Sequence, residues 1–289
     1  MLNIIANVTS GKGRGLKNTK KIVEYCMKKG VPYALYFTNR IGHATEITRS
    51  LTQSGEKTTV IALGGDGTFH EVLNGIVDTE NTYFGFIPSG RGNDFARSLG
   101  ASTNPIEALE DILRGETQKI DYIQVGDKRC LNVCGTGLDV AVLKAVEGKK
   151  STLTYYLALI QCLRKFKPYT VSIDVDGKKE DFECIMVGAC NGKAFGGNMK
   201  ICPVAEINDG KMNVVLITWP ENTNNIWPIV AKFVAGKHMD LPITHHYVCE
   251  SLTVTAPYPI ELDGEIYEDR KLECKIVKEG INTFVPKKK

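Results

Sequence analysis

Short apolar runs alternate with stretches of helical period along the first 120 or so residues. Leu2 to Ala6 reads as a strand, and Lys17 to Lys29 as a helix that turns Ile22, Val23, Cys26 and Met27 inward. Val31 to Phe37 is the next strand and Ala44 to Leu51 the next helix. Thr59 to Leu63 then predicts a buried strand, because an unbroken run of apolar and β-branched residues presents no polar face to water. A helix carrying Phe69, Val72, Leu73 and Ile76 follows, and after it the strand Tyr83 to Ile87. Strand and helix in regular alternation predict a doubly wound parallel α/β domain.

Beyond Asp121 the period changes and strands dominate. Tyr169 to Val175, Phe182 to Ala189, Met212 to Thr218, Ser251 to Ala256, Ile260 to Asp263 and Leu272 to Val277 all have strand character, with helices at Leu153 to Phe166 and Asn225 to Val234. A second, mainly antiparallel β-sandwich domain is the simplest account. The change of period, rather than any linker, puts the border near residue 122, giving domains 1–122 and 123–289.

Composition narrows the class. The 289 residues are 43% hydrophobic and 24% charged, as in an ordinary globular protein, and a net charge of +3 is too small to argue for nucleic acid. Residues 1–50 nevertheless hold nine Lys or Arg against two Glu, with Lys12, Arg14 and Lys17 set among glycines, a local bias that suits a phosphate or an acidic membrane surface as well as plain solubility. The nine cysteines show no CxxC pair and sit mostly in apolar runs, which favours reduced core residues and a cytoplasmic setting. No apolar stretch reaches the roughly 18 residues of a membrane span, so any membrane contact is peripheral. The terminal Lys287, Lys288 and Lys289 read as a solvated end with some capacity to touch anionic lipid.

The chemistry concentrates where predicted strands end. Gly64-Gly65-Asp66-Gly67-Thr68 closes the strand Thr59 to Leu63, Asn7 to Gly15 follows the first strand, and Ser89 to Asp94 follows Ile87. In a doubly wound sheet such loops open onto one edge, where ligands bind, and glycines there permit positive φ and close approach to phosphate. A carboxylate such as Asp66 beside a phosphate needs a divalent cation or a sugar hydroxyl between them, so nucleotide with Mg²⁺ is the natural reading. The local alternative is a tight strand-to-helix turn with Asp66 as a helix cap. A P-loop is absent, Ser10-Gly-Lys-Gly-Arg-Gly15 lacks dinucleotide-fold spacing, and no protein-kinase HRD or DFG motif occurs.

Asn7-Val-Thr-Ser-Gly11, Thr38-Asn-Arg-Ile-Gly-His-Ala-Thr-Glu46, Gly64-Gly-Asp-Gly-Thr-Phe-His-Glu-Val-Leu-Asn-Gly75 and Ile87-Pro-Ser-Gly-Arg-Gly-Asn-Asp-Phe-Ala-Arg97 together resemble the diacylglycerol kinase catalytic-domain family, in particular its soluble bacterial lipid kinases, which are related to sphingosine kinases. Gly135-Thr-Gly-Leu-Asp139, Gly196-Gly197 followed by Pro203, Ala205, Asp209 and Gly210, and Leu262-Asp-Gly-Glu265 extend the likeness through the second half. Val8 stands where the family usually has proline, His70 where asparagine is common, and Arg91 where threonine or serine is frequent.

The resemblance implies ATP-dependent phosphoryl transfer to a lipid hydroxyl, with diacylglycerol the leading acceptor, in a cleft between the two domains. It assigns nucleotide contacts to Asn7, Val8, Thr9, Ser10, Gly11, Thr38, Gly64, Gly65, Asp66, Gly67, Thr68, Phe69, His70, Glu71 and Arg91. Asp66 and Asp94 would act on Mg²⁺ and phosphates, and Glu265 would be the base that takes the acceptor's proton. On local sequence alone Glu265 reads first as a solvated hairpin carboxylate near Glu268 and Asp269, and the resemblance reverses that. A second, structural Mg²⁺ is implied at Glu206, Asp209 and Lys211, where Asn-Asp-Gly alone reads as a type I′ turn. Phe195, Gly196 and Gly197 are candidates for admitting an acyl chain. Peripheral association with the inner membrane face is expected, and a homodimer is allowed. A kinase of NAD or of a sugar phosphate, or a non-catalytic nucleotide-binding regulator, stays open.

Overall fold

In the computed structural model, which describes residues 1–146, 152–219 and 227–287, the chain opens on a parallel sheet. Strands β1 (Leu2–Ala6), β2 (Tyr33–Phe37), β3 (Thr58–Gly64) and β4 (Thr82–Pro88) pair in the order β4-β3-β1-β2, all parallel. Between them run α1 (Ser10–Lys29), α2 (His43–Thr52) and α3 (Asp66–Gly75), with α4 (Asp94–Leu99), α5 (Pro105–Arg114) and strand β5 (Thr117–Val125) after them. The predicted alternation has a physical basis in burial: Val60, Ile61, Ala62 and Leu63 are fully buried, and each large aliphatic side chain so hidden contributes about 1.5–3 kcal/mol. Helix α5, which the periodicity missed, starts where Asn104 Oδ1 accepts the Ile106 N–H (3.1 Å) and Pro105 opens the first turn, and stops at Gly115 with φ 76°.

Two expectations change. Met27 is 72% exposed rather than inward. The buried stripe of α1 runs through Gly15, Asn18, Thr19, Ile22 and Cys26, and Met27 lies a further 100° or so around the helix. The chain also divides as Met1–Tyr122 with Lys278–Lys289 in one unit and Ile123–Val277 in the other, so the last residues leave the second domain to which the sequence reading gave them. The reason is strand β15 (Lys271–Phe284), whose start pairs with strand β12 (Ser251–Thr255) and whose end, at Asn282 and Thr283, pairs with β4. Lys288 and Lys289 lie outside the described residues.

The second unit holds β6 (Lys128–Cys130), β7 (Val133–Gly137), α6 (Leu138–Ala145), α7 (Thr152–Lys165), β8 (Tyr169–Val175), β9 (Lys178–Cys190), β10 (Met212–Thr218), α8 (Trp227–Val234), β11 (Thr244–Cys249), β12, β13 (Ile260–Leu262) and β14 (Glu265–Tyr267). The predicted helix start at Asn225 lies outside the described residues. Pairing here is antiparallel, in a β-sandwich-like arrangement built on β9. Its first half pairs with β8 and its second with β7 and β10. Val171 and Ile173 point inward and Thr170 and Ser172 outward, the period-two signature of a half-buried strand. All nine cysteines are free thiols, and all but Cys162 are buried. Among the described residues no helix is long and apolar enough to cross a membrane.

Candidate active site

The carboxyl ends of β1, β2, β3 and β4 stand side by side, so Asn7, Thr38, Gly64 and Ser89 meet at one edge of the sheet. The chain leaves β1 toward β2 on one side and returns to β3 on the other, which makes the gap between β1 and β3 a topological switch point. Asn7 spans that gap. Its backbone N–H reaches Leu63 O (2.9 Å), its Nδ2 reaches Thr68 Oγ1 (3.2 Å), and its Oδ1 accepts from Thr9 N and Oγ1 (3.2 and 2.9 Å). Thr38 is tied to β1 through its N–H to Ala6 O (3.1 Å), and Val8 O accepts from Leu16 N (3.1 Å). Beside this first loop Ser10 Oγ is buried with no hydrogen-bond partner among the described residues.

The glycines serve close approach more than unusual φ. None of Gly64, Gly65 and Gly67 has positive φ. A Cβ on Gly64 would lie 2.4 Å from Thr68 Oγ1, and one on Gly90 would lie 2.5 Å from Gly65 Cα. The β3 and β4 loops thus touch backbone to backbone, sealed by Ser89 N and Gly90 N on Gly64 O (2.6 and 3.1 Å). Left-handed backbone occurs instead at Gly11, Lys12 and Gly13 (φ 59°, 58° and 85°), where a Cβ on Gly11 would strike Ser89 O at 2.1 Å. Arg14 Nη1 donates to Gly90 O (3.0 Å) and Asn18 Nδ2 to Ser89 Oγ (2.9 Å), joining the first loop to the third. The basic residue Arg14 is therefore spent partly on structure.

Asp66 does cap a helix, but not its own. Oδ2 accepts from Asn93 N and Oδ1 from Asp94 N, both at 2.7 Å, so the carboxylate closes the start of α4. Gly92 sits between the two acids: a Cβ there would lie 2.9 Å from Asp66 Oδ2 and 3.1 Å from Asp94 Oδ2. Two carboxylate oxygens face a space left free by a missing side chain, a donor set that suits Mg²⁺ held by one or two carboxylates with phosphate and water completing its shell. Exposed Arg91 stands next to that space in the chain. Three expected nucleotide contacts are drawn elsewhere. Phe69 is 1% exposed and packs edge-on against Phe86 (5.2 Å), His70 is buried against Asn74, and Glu71 Oε2 accepts from Ala44 N (3.0 Å) at the start of α2.

In the second unit Glu265 opens β14, exposed, at the end of a two-residue hairpin. Asp263 (φ 52°) and Gly264 (φ 89°) are both left-handed, the geometry of a type I′ turn. The hairpin is anchored from below. Asp263 Oδ2 accepts from Leu131 N (3.0 Å) and Oδ1 from Asn132 N (2.8 Å), Asp263 N reaches Val133 O (2.9 Å), and Gly264 N donates to Glu261 Oε2 (2.8 Å). Glu261 and Asp139 are buried carboxyls that sequence reasoning left without a role; the available signal was a Glu at the middle of an otherwise apolar strand, Ile260-Glu-Leu262. Burial pushes both above the ordinary carboxylate range, and the charge of Asp139 raises Glu261 further.

The loop 206–211 is a turn first. Asp209 Oδ1 accepts from Lys211 N (2.9 Å), Lys211 Nζ pairs with Glu250 (2.7 Å), and only Gly210 is left-handed, so the turn is not type I′. Asp209 Oδ2 accepts no hydrogen bond among the described residues, so one carboxylate oxygen and nearby carbonyls are the donors on offer to a hard cation. Elsewhere in this unit a cavity of about 60 Å³ is walled by Leu159, Leu163, Ile185, Phe195, Trp219 and Phe233, among others, and Asp139 is the one charged residue among the described residues of its lining. Gly196 lies against the Tyr155 ring, where a Cβ would come within 2.7 Å.

Residues 1–125 match the diacylglycerol kinase catalytic domain model, and residues 132–284 the YegS C-terminal NAD kinase beta sandwich-like domain. The chain is 28% identical over 293 residues to a diacylglycerol kinase of Staphylococcus saprophyticus, covering 98% of this chain and 94% of that one. It is 28% identical over 273 residues to a diacylglycerol kinase of Bacillus subtilis, covering 91% and 88%. In fold it is similar to the crystal structure of a diacylglycerol kinase from Bacillus anthracis (TM-score 0.80, 24% identity, 98% and 96% covered). An NAD kinase from Archaeoglobus fulgidus in complex with ATP is a more distant likeness (TM-score 0.56, 15% identity, 99% and 94% covered).

Proposed function

The chain belongs to the diacylglycerol kinase catalytic-domain family, and from that premise we propose that it transfers the γ-phosphoryl group of ATP to a lipid hydroxyl, with diacylglycerol as acceptor and phosphatidic acid as product. The observation that carries the lipid acceptor is the cavity of the second unit, whose walls are aliphatic and aromatic. A nicotinamide dinucleotide or a sugar phosphate needs convergent polar and basic groups, which that cavity does not offer.

In this reading the donor nucleotide lies over the switch point between β1 and β3. Asn7, the Gly64–Gly65 turn and Thr68 form its floor, with Ser89 and Gly90 beside them. Asp66 and Asp94 hold Mg²⁺ at the Gly92 space, and Arg91 supplies a guanidinium that grips phosphate in a fork. Bound there, Mg²⁺ supplies the neutralisation that lets phosphate approach two carboxylates. Glu265 takes the proton of the attacking hydroxyl; its exposed position on a pinned hairpin leaves the carboxylate accessible to an acceptor. Asp209 with the carbonyls of Glu206 and Lys211 holds a second, structural cation. A lipid acceptor implies work at a membrane surface, hence peripheral association.

Incubation with γ-labelled ATP, Mg²⁺ and a panel of diacylglycerol, sphingosine, phosphatidylglycerol and NAD tests this directly. Label in phosphatidic acid is the expected result. Label only in NADP, or in no product, contradicts it.

A further inference from the structure

Asp139 and Glu261 are acids that neither the nucleotide site nor the base uses, and the fold brings them close together. Glu261 on β13 stands opposite Gly135 on β7, and directly opposed residues of an antiparallel pair carry their side chains on one face about 5 Å apart. Gly135 has no side chain, and a Cβ there would lie 2.7 Å from Asp139 Oδ2. The Asp139 carboxyl thus occupies the place beside Glu261 that a side chain at 135 would take. Asp139 is 4% exposed and Glu261 2%, so two full charges there would repel each other with little water to screen them. Protonating one of the two carboxyls resolves the conflict, as in other buried carboxyl pairs, and Asp139 Oδ1 has no hydrogen-bond partner among the described residues.

The pair stands directly beneath the Glu265 hairpin. Glu261 Oε2 accepts the N–H of Gly264, the residue before Glu265, while its neighbour Asp263 is bound to the β6–β7 connection. We propose that the Asp139–Glu261 pair is a positioning device for Glu265: Asp139 holds Glu261, Glu261 holds the Gly264 N–H, and the turn so fixed sets where the Glu265 carboxylate stands. The proposal rests on Glu265 being the base. The titratable groups that face the pair are Asp263 and Glu265 from the same hairpin, Cys130 and Cys134 beside Glu261, and Tyr169 and Cys184 beside Asp139; all are acids. Raising the pH until the pair is doubly ionised therefore drives Glu261 from its place, and turnover falls with it.

The test compares Glu265→Gln, Glu261→Ala and Glu261→Gln in lipid phosphorylation. Glu261→Ala removes the acceptor for Gly264, and kcat is expected to fall by about 10- to 100-fold, the scale of a small misplacement of a reacting group, with KM for ATP unchanged. Glu261→Gln keeps an oxygen for Gly264 and an N–H for Asp139, so its kcat is expected to stay within about threefold of the parent and to lose the alkaline fall. If Glu265→Gln turns over normally, the base reading fails and the proposal with it. If Glu265→Gln is inactive but Glu261→Ala matches the parent, or if Glu261→Gln is as impaired as Glu261→Ala, the proposal alone is overturned. Should Glu261→Ala not fold, the alkaline limb of Glu261→Gln decides: an unchanged limb overturns the proposal.

Discussion

Replacing Asp66 by alanine separates its role in the fold from its role toward nucleotide. The carboxylate receives two backbone N–H groups, from Asn93 and Asp94, each at 2.7 Å. Hydrogen bonds to a charged group contribute about 1.5–3 kcal/mol each, and the site is only partly buried, so the lower figure applies and the pair sums to about 3 kcal/mol. For a unit of this size that corresponds to a fall of about 10 °C in Tm. Asp66→Asn keeps one oxygen acceptor, so about half of that loss is expected. Thermal melts of the three proteins, with amide exchange read at Asn93 and Asp94, check the values. A Tm of Asp66→Ala within about 1 °C of the parent, with exchange at both amides unchanged, would refute the argument that this carboxylate closes α4.

Three further outcomes follow from the same geometry. Gly90→Ala puts a methyl 2.5 Å from Gly65 Cα, backbone against backbone, so the loops must part; a loss of about 1–3 kcal/mol in stability and a drop of more than about tenfold in ATP affinity are expected by melting and titration. Gly92→Ala fills the space between Asp66 and Asp94 without strained φ, but its Cβ at 2.9 Å displaces the Asp66 Oδ2 that caps α4, so the Mg²⁺ concentration for half-maximal activity should rise about tenfold and Tm should fall by part of the Asp66→Ala loss; an unshifted Mg²⁺ curve would remove the cation from that position. Burial raises the Asp139 carboxyl to about 7 from an ordinary value near 4, so between those pH values the native state binds more protons than the unfolded chain. Its stabilisation is complete below about pH 4 and is lost as pH rises toward 7, at up to ~1.4 kcal/mol per pH unit. Asp139→Asn should flatten that slope in melts from pH 4 to 8, and an unaltered slope would contradict the assignment.

The sequence carries the parallel sheet and the gathering of its glycine loops at one edge because both depend on local signals. Apolar runs define the strands, and glycines mark the points where loops cross closely. What it misplaced depends on contacts between distant segments. The cap on α4 comes from Asp66, 28 residues before Asp94, and no local pattern points to that bond. Phe69, His70 and Glu71 lie inside a motif, yet a helix turns successive residues about 100° apart, so only part of any such run can face one ligand. Met27 missed the core for the same angular reason. Strand β7 escaped prediction because Val133-Cys-Gly-Thr-Gly137 has two glycines and little β-propensity; its neighbours β9 and β13 make it a strand. The pedestal of Glu265 likewise assembles from residues 131–139 and 261–264, and only the fold brings them together.

The measurement closest to the central claim is transfer of label from γ-labelled ATP into organic-soluble product, using diacylglycerol in lipid vesicles with Mg²⁺, for the parent and Glu265→Gln side by side. The parent should form labelled phosphatidic acid. Glu265→Gln should bind ATP and melt as the parent does while kcat falls by about 10²–10⁴-fold, the usual contribution of a general base. No organic-soluble label with the parent, or near-parent turnover in the variant, would contradict the account.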